Sequence, residues 1–263
     1  MNFKRSYAIF LRQLYLLKRG SRLINIFYWP TLDLLTWGFI TIYLTSVGTS
    51  GVNFLTLLLS AVLLWNFYTR AQLGFHMAFL EDVWVRNFIN LFATPLTVAE
   101  YVTGLILTSV VAGILSMILP VLVAWLLFTY NIFQLGFMLI PFLAVLFIFG
   151  WTIALFAMAV MFRFGSSAES LTWALPFLFT PFSGVYYPIS ALPLWAQTIS
   201  HVLPTSYVFE GMRQVIFSGS FDAVKLLYGF GFALAYFFLA YFVLIRVYKL
   251  VLRRGLFTRF SVD

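Results

Sequence analysis

The sequence predicts an all-α integral membrane protein with six transmembrane helices and both chain ends in the cytoplasm. Of its 263 residues, 63% are hydrophobic and 9% are charged, and its mean hydropathy of +0.99 exceeds that of soluble domains. Charge-free windows long enough to cross a bilayer recur along the chain. The whole chain, 1–263, is therefore predicted to form a single transmembrane domain.

The N-terminal stretch, residues 1–23, predicts an amphipathic helix that lies in the plane of the membrane surface. Apolar residues recur at helical spacing from Phe3 to Leu17, and Lys4, Arg5 and Arg12 lie between them. Such a helix would lie on an anionic leaflet. The alternative, a basic flank that only sets the topology, remains open.

Windows without charge locate the spans, since a charge at the bilayer centre costs about 2.5–3.5 kcal/mol. The first two predicted spans are 26–47 and 52–75, and an uncharged Gly48–Gly51 turn should join them. Residues 101–162 hold the third and fourth spans, which meet around 129–134. The fifth span is expected to begin near Ser170, and the sixth is 226–245.

The uncharged window 170–209 is too long for one span and contains several prolines and Gly184. A span followed by broken, re-entrant helices over 185–215 fits it best. Backbone of this kind is tolerated at membrane depth only where protein buries it or where it lines a cavity, so it should face the interior of an assembly.

The distribution of basic residues orients the chain. Arg213 and Lys225 fall on the side opposite to the termini, and the other basic residues fall on the terminal side. The positive-inside rule then places both ends in the cytoplasm. The net charge of +8 is thus explained by topology, and a nucleic-acid partner is not expected.

The connection between spans 2 and 3 is predicted to contain a short cytoplasmic helix over residues 79–94. Its polar side holds Glu81, Asp82, Arg86 and Asn87, and apolar residues recur between them. Proline disfavours helix at the residue before it, so the helix should end before Pro95. Without further information, an ordinary solvated helix face explains this pattern equally well.

Together these features resemble the membrane subunit of type-2 ATP-binding-cassette (ABC) exporters, and the resemblance covers nearly the whole chain. The most specific part is 182–213, which contains a Gly-aromatic-Pro turn, a Leu-Pro-x-Trp helix and a Leu-Pro-x-x-Tyr-x-x-Glu-x-x-Arg run. These motifs correspond to Gly184–Pro188, Leu192–Trp195, and Leu203, Pro204, Tyr207, Glu210 and Arg213.

The resemblance implies partners and a location. Members of this group pair with two copies of an ATP-binding subunit and a second permease copy, here a homodimer or a pair with a sibling. They lie among the lipids of a bacterial or archaeal cytoplasmic membrane and expel drugs, lipids or lipid-linked glycans. The sequence leaves the identity of the cargo open.

The resemblance also implies roles for particular residues. By analogy with the family's coupling helix, the residues expected to contact the motor subunit are Glu81, Asp82, Trp84, Arg86, Asn87 and Phe88. The expected gate or hinge residues are Pro95, Glu100, Gly184, Pro188, Pro204, Glu210 and Arg213. Glu100 has a simpler alternative role as a helix cap.

The chain is not expected to be an enzyme or to bind a cofactor or metal itself. A P-loop ends in Gly-Lys-Ser/Thr, and no lysine of this chain follows a glycine. ATP and Mg²⁺ are therefore expected on the partner subunit. The chain has no cysteine and two histidines, which leaves little for thiolate or imidazole chemistry.

Aromatic residues near the broken segment, with the start of the first span, are candidates for a substrate pathway. These candidates are Asp33, Trp37, Phe177, Phe179, Phe182, Tyr186 and Tyr187. An ionisable residue inside a span is a functional candidate. The alternative for Asp33 is a structural role. It would then lie near the headgroups and either pair with a basic residue of the in-plane helix or cap a break after Pro30.

Two other function classes were weighed against an exporter. An ATP-independent secondary carrier or channel usually needs ionisable residues deep in its spans, and only Asp33 approaches that. A membrane-embedded enzyme needs clustered carboxylates, histidines or an activated nucleophile. Glu81 and Asp82 beside His76 are too sparse for such a site.

Overall fold

The protein is described here by a computed structural model that covers residues 2–17, 21–47 and 54–254. Within these ranges the chain is helical and contains no β-strand. The predicted all-α fold is therefore confirmed for this part of the chain. Its helices are α1 (Phe3–Leu17), α2 (Ser21–Val47), α3 (Phe54–Trp84), α4 (Phe88–Ala93), α5 (Val98–Phe128), α6 (Leu139–Phe164), α7 (Glu169–Leu178), α8 (Leu194–Val202), α9 (Pro204–Ser218) and α10 (Ala223–Arg253).

Four helical segments of the described ranges are long and apolar enough to cross a membrane. They are α3, α5, α10 and the segment Ile132–Phe164, which joins a 3₁₀ turn to α6. The three unbroken helices have 31 residues each, about 46 Å, and α6 has 26 residues, about 39 Å, against a hydrocarbon core of about 30 Å. These segments support a multi-pass membrane protein.

The other two predicted spans differ from these four. Helix α2 has 27 residues, which is long enough to span, but it is less apolar and contains Asp33 and Pro30. Helix α7 has only 10 residues, about 15 Å, and a straight helix of that length cannot cross a bilayer. By length and composition, the structure thus supports four of the six predicted spans.

Helix α3 lies at the centre of the fold. It packs against α2, α5, α6 and α9, and its side chains are buried on most sides, as Leu59, Leu63 and Tyr68 illustrate. Glycine permits one close contact, because a Cβ atom at Gly150 of α6 would lie 2.9 Å from the Tyr68 carbonyl oxygen. Helix α10 completes the bundle by packing against α6 and α9.

The turn predicted at 129–134 coincides with a break after α5. Thr129 caps α5 in the left-handed conformation, with φ of 53°. The hydroxyl groups of Ser60 and Tyr130 share a hydrogen bond of 2.6 Å, which ties this turn to α3. A 3₁₀ segment, Ile132–Met138, then leads into α6.

The proline-rich window after α7 is irregular, as its composition predicts. Two short 3₁₀ turns and a bend separate α7 from α8. Helix α9 begins with Pro204 at its first position, where the missing N–H costs no hydrogen bond. The re-entrant position predicted for 185–215 stays a prediction.

Some sequence-based expectations fall on other parts of the chain. The predicted Gly48–Gly51 turn and the basic residues Lys18, Arg19 and Arg259 lie outside the described residues.

Candidate functional site

The connection between α3 and α5, residues 85–97, corrects the predicted helix boundaries. Residues 79–84 belong to α3, and the separate helix is only α4, Phe88–Ala93. Nothing between Phe75 and Trp84 breaks a helix, so α3 continues past the predicted end of the span. The break comes at Arg86, whose φ of 55° is left-handed.

Two of the predicted motor-contact residues are buried. Glu81 and Asp82 are 6% and 1% exposed, so they do not form an exposed polar face. The Asp82 carboxylate accepts hydrogen bonds from Arg12 Nη2 at 2.6 Å and from the Tyr101 hydroxyl at 2.7 Å. It holds α1 and α5 against the end of α3.

The remaining predicted contact residues divide into exposed and buried ones. Phe88 is buried and packs against Phe79 and Phe162. Trp84 and Arg86 are exposed, and Asn87 is partly exposed. Val85, which the sequence analysis did not single out, is 70% exposed. Residues 84–87 thus form an accessible surface at the end of α3, called here the exposed turn, and Asn90 and residues 93–95 of the connection are exposed as well.

Glu100 caps two segments at the start of α5. Its carboxylate accepts the backbone N–H of Thr97 at 3.0 Å, and Thr97 Oγ1 accepts the N–H of Glu100 at 3.3 Å, which forms a capping box. The same carboxylate accepts the N–H of Asn2 at 2.6 Å. Arg5 donates to the carbonyl of Pro95. The geometry gives Glu100 the structural capping role, and its hinge role stays a prediction.

Arg213 holds the turn that precedes α8. Its guanidinium is buried and donates to the carbonyl oxygens of Gly184, Val185 and Tyr187. Glu210 accepts from Arg213 Nη1 at 3.1 Å and from the backbone N–H of Ile189 at 2.8 Å. The structure thus brings four predicted gate residues into one cluster, since Pro188 lies within the same turn as Gly184.

This turn is fixed by backbone geometry as well as by hydrogen bonds. Gly184 has φ of 63°, a conformation in which a side chain is unfavourable. Thr205 donates to Ser183 Oγ at 2.8 Å from the start of α9, one residue after Pro204. Helix α9 therefore supports the turn along its length.

A cavity of about 620 Å³ lies between α1, α2, α3, α5 and α7. Of the predicted pathway residues, Asp33, Phe177 and Tyr186 line it. Trp37 stacks on Tyr186 with ring centroids 4.2 Å apart. Polar and aromatic side chains from several helices thus surround one space of a size typical of ligand pockets.

The other four predicted pathway residues do not line this cavity, and Trp37 contributes only through its stacking on Tyr186. Phe179 packs against Phe149, and Phe182 packs against Trp195. The Tyr187 hydroxyl donates to a backbone carbonyl at 2.6 Å. These contacts assign them to packing around the irregular segment.

Asp33 has a different partner from those expected. Its Oδ2 accepts a hydrogen bond of 2.8 Å from Asn66 Nδ2 on α3. Helix α2 continues through Pro30, so Asp33 caps no break there. The capping alternative is therefore wrong, whereas pairing with a basic residue at the end of the in-plane helix falls outside the described side chains. The Asp33 carboxyl group contributes to the cavity wall.

The sequence analysis missed several lining residues of α3. Trp65, Asn66, Arg70 and Glu81 all face the cavity. In the sequence, Arg70 fits the positive-inside pattern, which by itself does not point to a cavity. The spacing of Asn66 and Arg70, four residues apart in an apolar helix, places them on one face and could have indicated a polar site.

Comparison with protein-family models matches residues 5–217 to the family described as ABC-2 type transporter. The match covers most of the chain and includes α1 to α9. No curated protein matches the chain. The chain therefore belongs to the ABC-2 type transporter family, as its membrane-embedded permease subunit.

Proposed function

We propose that this chain is the permease of an exporter driven by a separate ATP-binding subunit. It moves an amphiphilic substrate, such as a drug, a lipid or a lipid-linked glycan, across the cytoplasmic membrane of a bacterium or archaeon. The working unit contains two permease copies and two ATP-binding subunits. ATP and Mg²⁺ bind to the partner, and this chain holds no cofactor.

One observation carries this proposal: the helix that lines the cavity also ends at the exposed turn. Helix α3 contributes Asn66, Arg70 and Glu81 to the cavity wall and ends at Trp84. A helix transmits displacement along its length because its backbone hydrogen bonds keep it stiff. A partner that moves the exposed turn would therefore tilt one wall of the cavity.

The contacts of α3 define the elements that move with it. Asp82 joins α3 to Arg12 of α1 and to Tyr101 of α5. When ATP draws the two partner subunits together, these three helices move as a unit and change the opening of the cavity. The bias between the two states comes from the different affinity of each state for ATP.

A second candidate function is ATP-independent secondary transport. The observation in its favour is Asp33, an ionisable group that lines the cavity beside Asn66. A carrier of this kind would work without an ATP-binding partner. The experiment below therefore separates the two functions.

The test is co-purification of the tagged chain with the ATP-binding subunits of its native host. The test variant combines Val85→Asp with Arg86→Glu at the exposed turn. The matched control combines Val224→Asp with Lys225→Glu, an exposed valine and basic residue at the start of α10. Arg86→Gly removes the Arg86 side chain without straining the turn, since glycine accepts the left-handed backbone there.

We expect an ATP-binding subunit to co-elute with the wild type and the α10 control, and in smaller amount with Arg86→Gly. We expect its loss from the exposed-turn variant while that variant remains folded. Absence of any ATP-binding subunit from the wild type in nanodiscs would contradict the exporter proposal and favour the secondary carrier.

A further inference from the structure

Arg70 is a cation near the middle of a candidate membrane-spanning helix. It lines the cavity from α3, and it forms no hydrogen bond or ion pair with any residue that the structure describes. Its Nε atom is buried and unpartnered. A guanidinium in such surroundings is costly unless an anion or acceptor compensates it.

The acidic residues of the cavity wall compensate Arg70 only in part. Asp33 attracts Arg70 electrostatically, but it is held by Asn66 and forms no ion pair within 4.0 Å of Arg70. Glu81 lies 11 residues further along α3, about 16 Å away at 1.5 Å per residue. Arg70 therefore faces the open space of the cavity with its hydrogen-bonding capacity unused.

A second unpartnered donor lies on another wall. The Thr180 hydroxyl, in the irregular segment after α7, is buried, lines the same cavity and has no hydrogen-bond partner in the part of the chain that the structure describes. Buried hydroxyl groups normally find a partner. An acceptor group placed in this space would provide a partner for both donors.

The rest of the wall is suited to an apolar chain. Trp29, Trp65, Trp173 and Phe177 contribute aromatic surface from three helices. The cavity volume of about 620 Å³ accommodates a headgroup and part of an acyl chain, but not an entire lipid.

We propose that this cavity binds an amphiphile with one anionic group, a phosphate or a carboxylate. The anion pairs with Arg70 and accepts a hydrogen bond from Thr180, while the apolar part packs against the aromatic wall. Asp33 repels the anion and limits its affinity, which favours release. As a statement about cargo, this inference rests on the proposed exporter function and narrows its substrate class.

The test measures quenching of tryptophan fluorescence in phosphatidylcholine nanodiscs that contain the purified chain. The probes are phosphatidylglycerol and phosphatidylcholine with the same brominated acyl chain, since bromine quenches nearby tryptophan. Free dibromostearate provides a carboxylate, and inorganic phosphate, added as a competitor, provides an anion without a chain. Comparison of these probes shows whether the ligand is a lipid phosphate, a carboxylate with an apolar chain or a free anion.

We expect saturable quenching by brominated phosphatidylglycerol in the wild type, with apparent affinity reduced about tenfold or more in Arg70→Gln. Arg70→Lys should retain most of the binding, and Thr180→Val should weaken it to a smaller extent. Asp33→Asn should strengthen it. The phosphatidylcholine probe should not distinguish these variants.

Arg246→Gln is the matched control, because it removes an exposed arginine of α10 that lies outside the cavity. It should leave the quenching curve unchanged. Equal quenching curves for wild type and folded Arg70→Gln would overturn the proposal, as would weaker anion binding in Asp33→Asn. Binding is measured without ATP, so loss of the partner subunit in the co-purification experiment is a separate failure.

Discussion

Arg12 of α1 donates a hydrogen bond of 2.6 Å from Nη2 to Asp82 Oδ2 at the end of α3. The Asp82 side chain is 2% exposed, and that of Arg12 is 29% exposed. This contact joins the predicted in-plane helix to the helix that lines the cavity. It makes α1 a structural part of the bundle's end rather than a helix that only rests on the membrane surface.

Arg12→Gln is expected to lower the free energy of unfolding by about 1–3 kcal/mol, because it removes the charged partner of a buried carboxylate. The measurement is thermal unfolding in detergent. Arg5→Gln is the control. Its ion pair with Glu100 is longer, at 3.7 Å, and Arg5 is 41% exposed, so its effect should be clearly smaller. Equal losses of stability in Arg12→Gln and Arg5→Gln would contradict the larger stabilising role given to the contact between Arg12 and Asp82.

Gly104→Ala is expected to displace α1 from α5. A Cβ atom at this position would lie 2.7 Å from Ile9 Cβ and Cγ2, closer than real side-chain contacts. Ile9→Gly removes both atoms of this contact. We therefore predict that Gly104→Ala costs less in an Ile9→Gly background than in the wild type, measured by a double-mutant cycle of thermal stability. Additive effects would show that the two residues do not share this contact.

Arg213→Met is expected to destabilise the protein by about 2–4 kcal/mol. The variant leaves the carbonyl groups of Gly184, Val185 and Tyr187 without their donor, and buried unsatisfied groups are costly. Lys225→Met is the control, since its ion pair with Asp222 is 3.7 Å long and both side chains are exposed. Limited proteolysis should show new cleavage near residue 187 in Arg213→Met only. An intact turn in that variant would refute the role given to Arg213.

Gly184→Ala is expected to cost about 1–2 kcal/mol, because L-residues disfavour its left-handed backbone. The added Cβ would also lie 3.2 Å from Ile189 Cγ1. Gly231→Ala in α10 is the matched control, since nothing lies within 4 Å of its added Cβ. Alanine favours helix over glycine, so that variant should be neutral or more stable. Melting temperatures of the two variants provide the comparison, and a neutral Gly184→Ala would contradict the strain argument.

The sequence was sufficient to predict features that depend on local chemistry. One of these is the end of the connection between α3 and α5. Thr97 and Glu100, which are three residues apart in the sequence, form a capping box there. The break at Thr129 and the irregular window after α7 also follow from composition. The resemblance placed Gly184 and Arg213 among the gate residues, and the structure shows them in direct contact.

The parts that could not be predicted depend on which helices meet. A helical pattern places Glu81 and Asp82 on a polar face, but it cannot show that Arg12 and Tyr101 cover Asp82. The predicted position of the end of α3 was wrong for a related reason. Tertiary contacts keep a helix intact beyond the apolar window that defines a span, and the break at Arg86 has no proline or glycine to mark it.

The most direct test of the exporter account is lipid movement in proteoliposomes that contain the chain and its co-purified ATP-binding subunit. Fluorescent phosphatidylglycerol is followed from the ATP-accessible leaflet to the opposite leaflet, with ATP or with a non-hydrolysable analogue. The account predicts movement only with ATP, and its loss in the Val85→Asp, Arg86→Glu variant. Equal movement without ATP would contradict it.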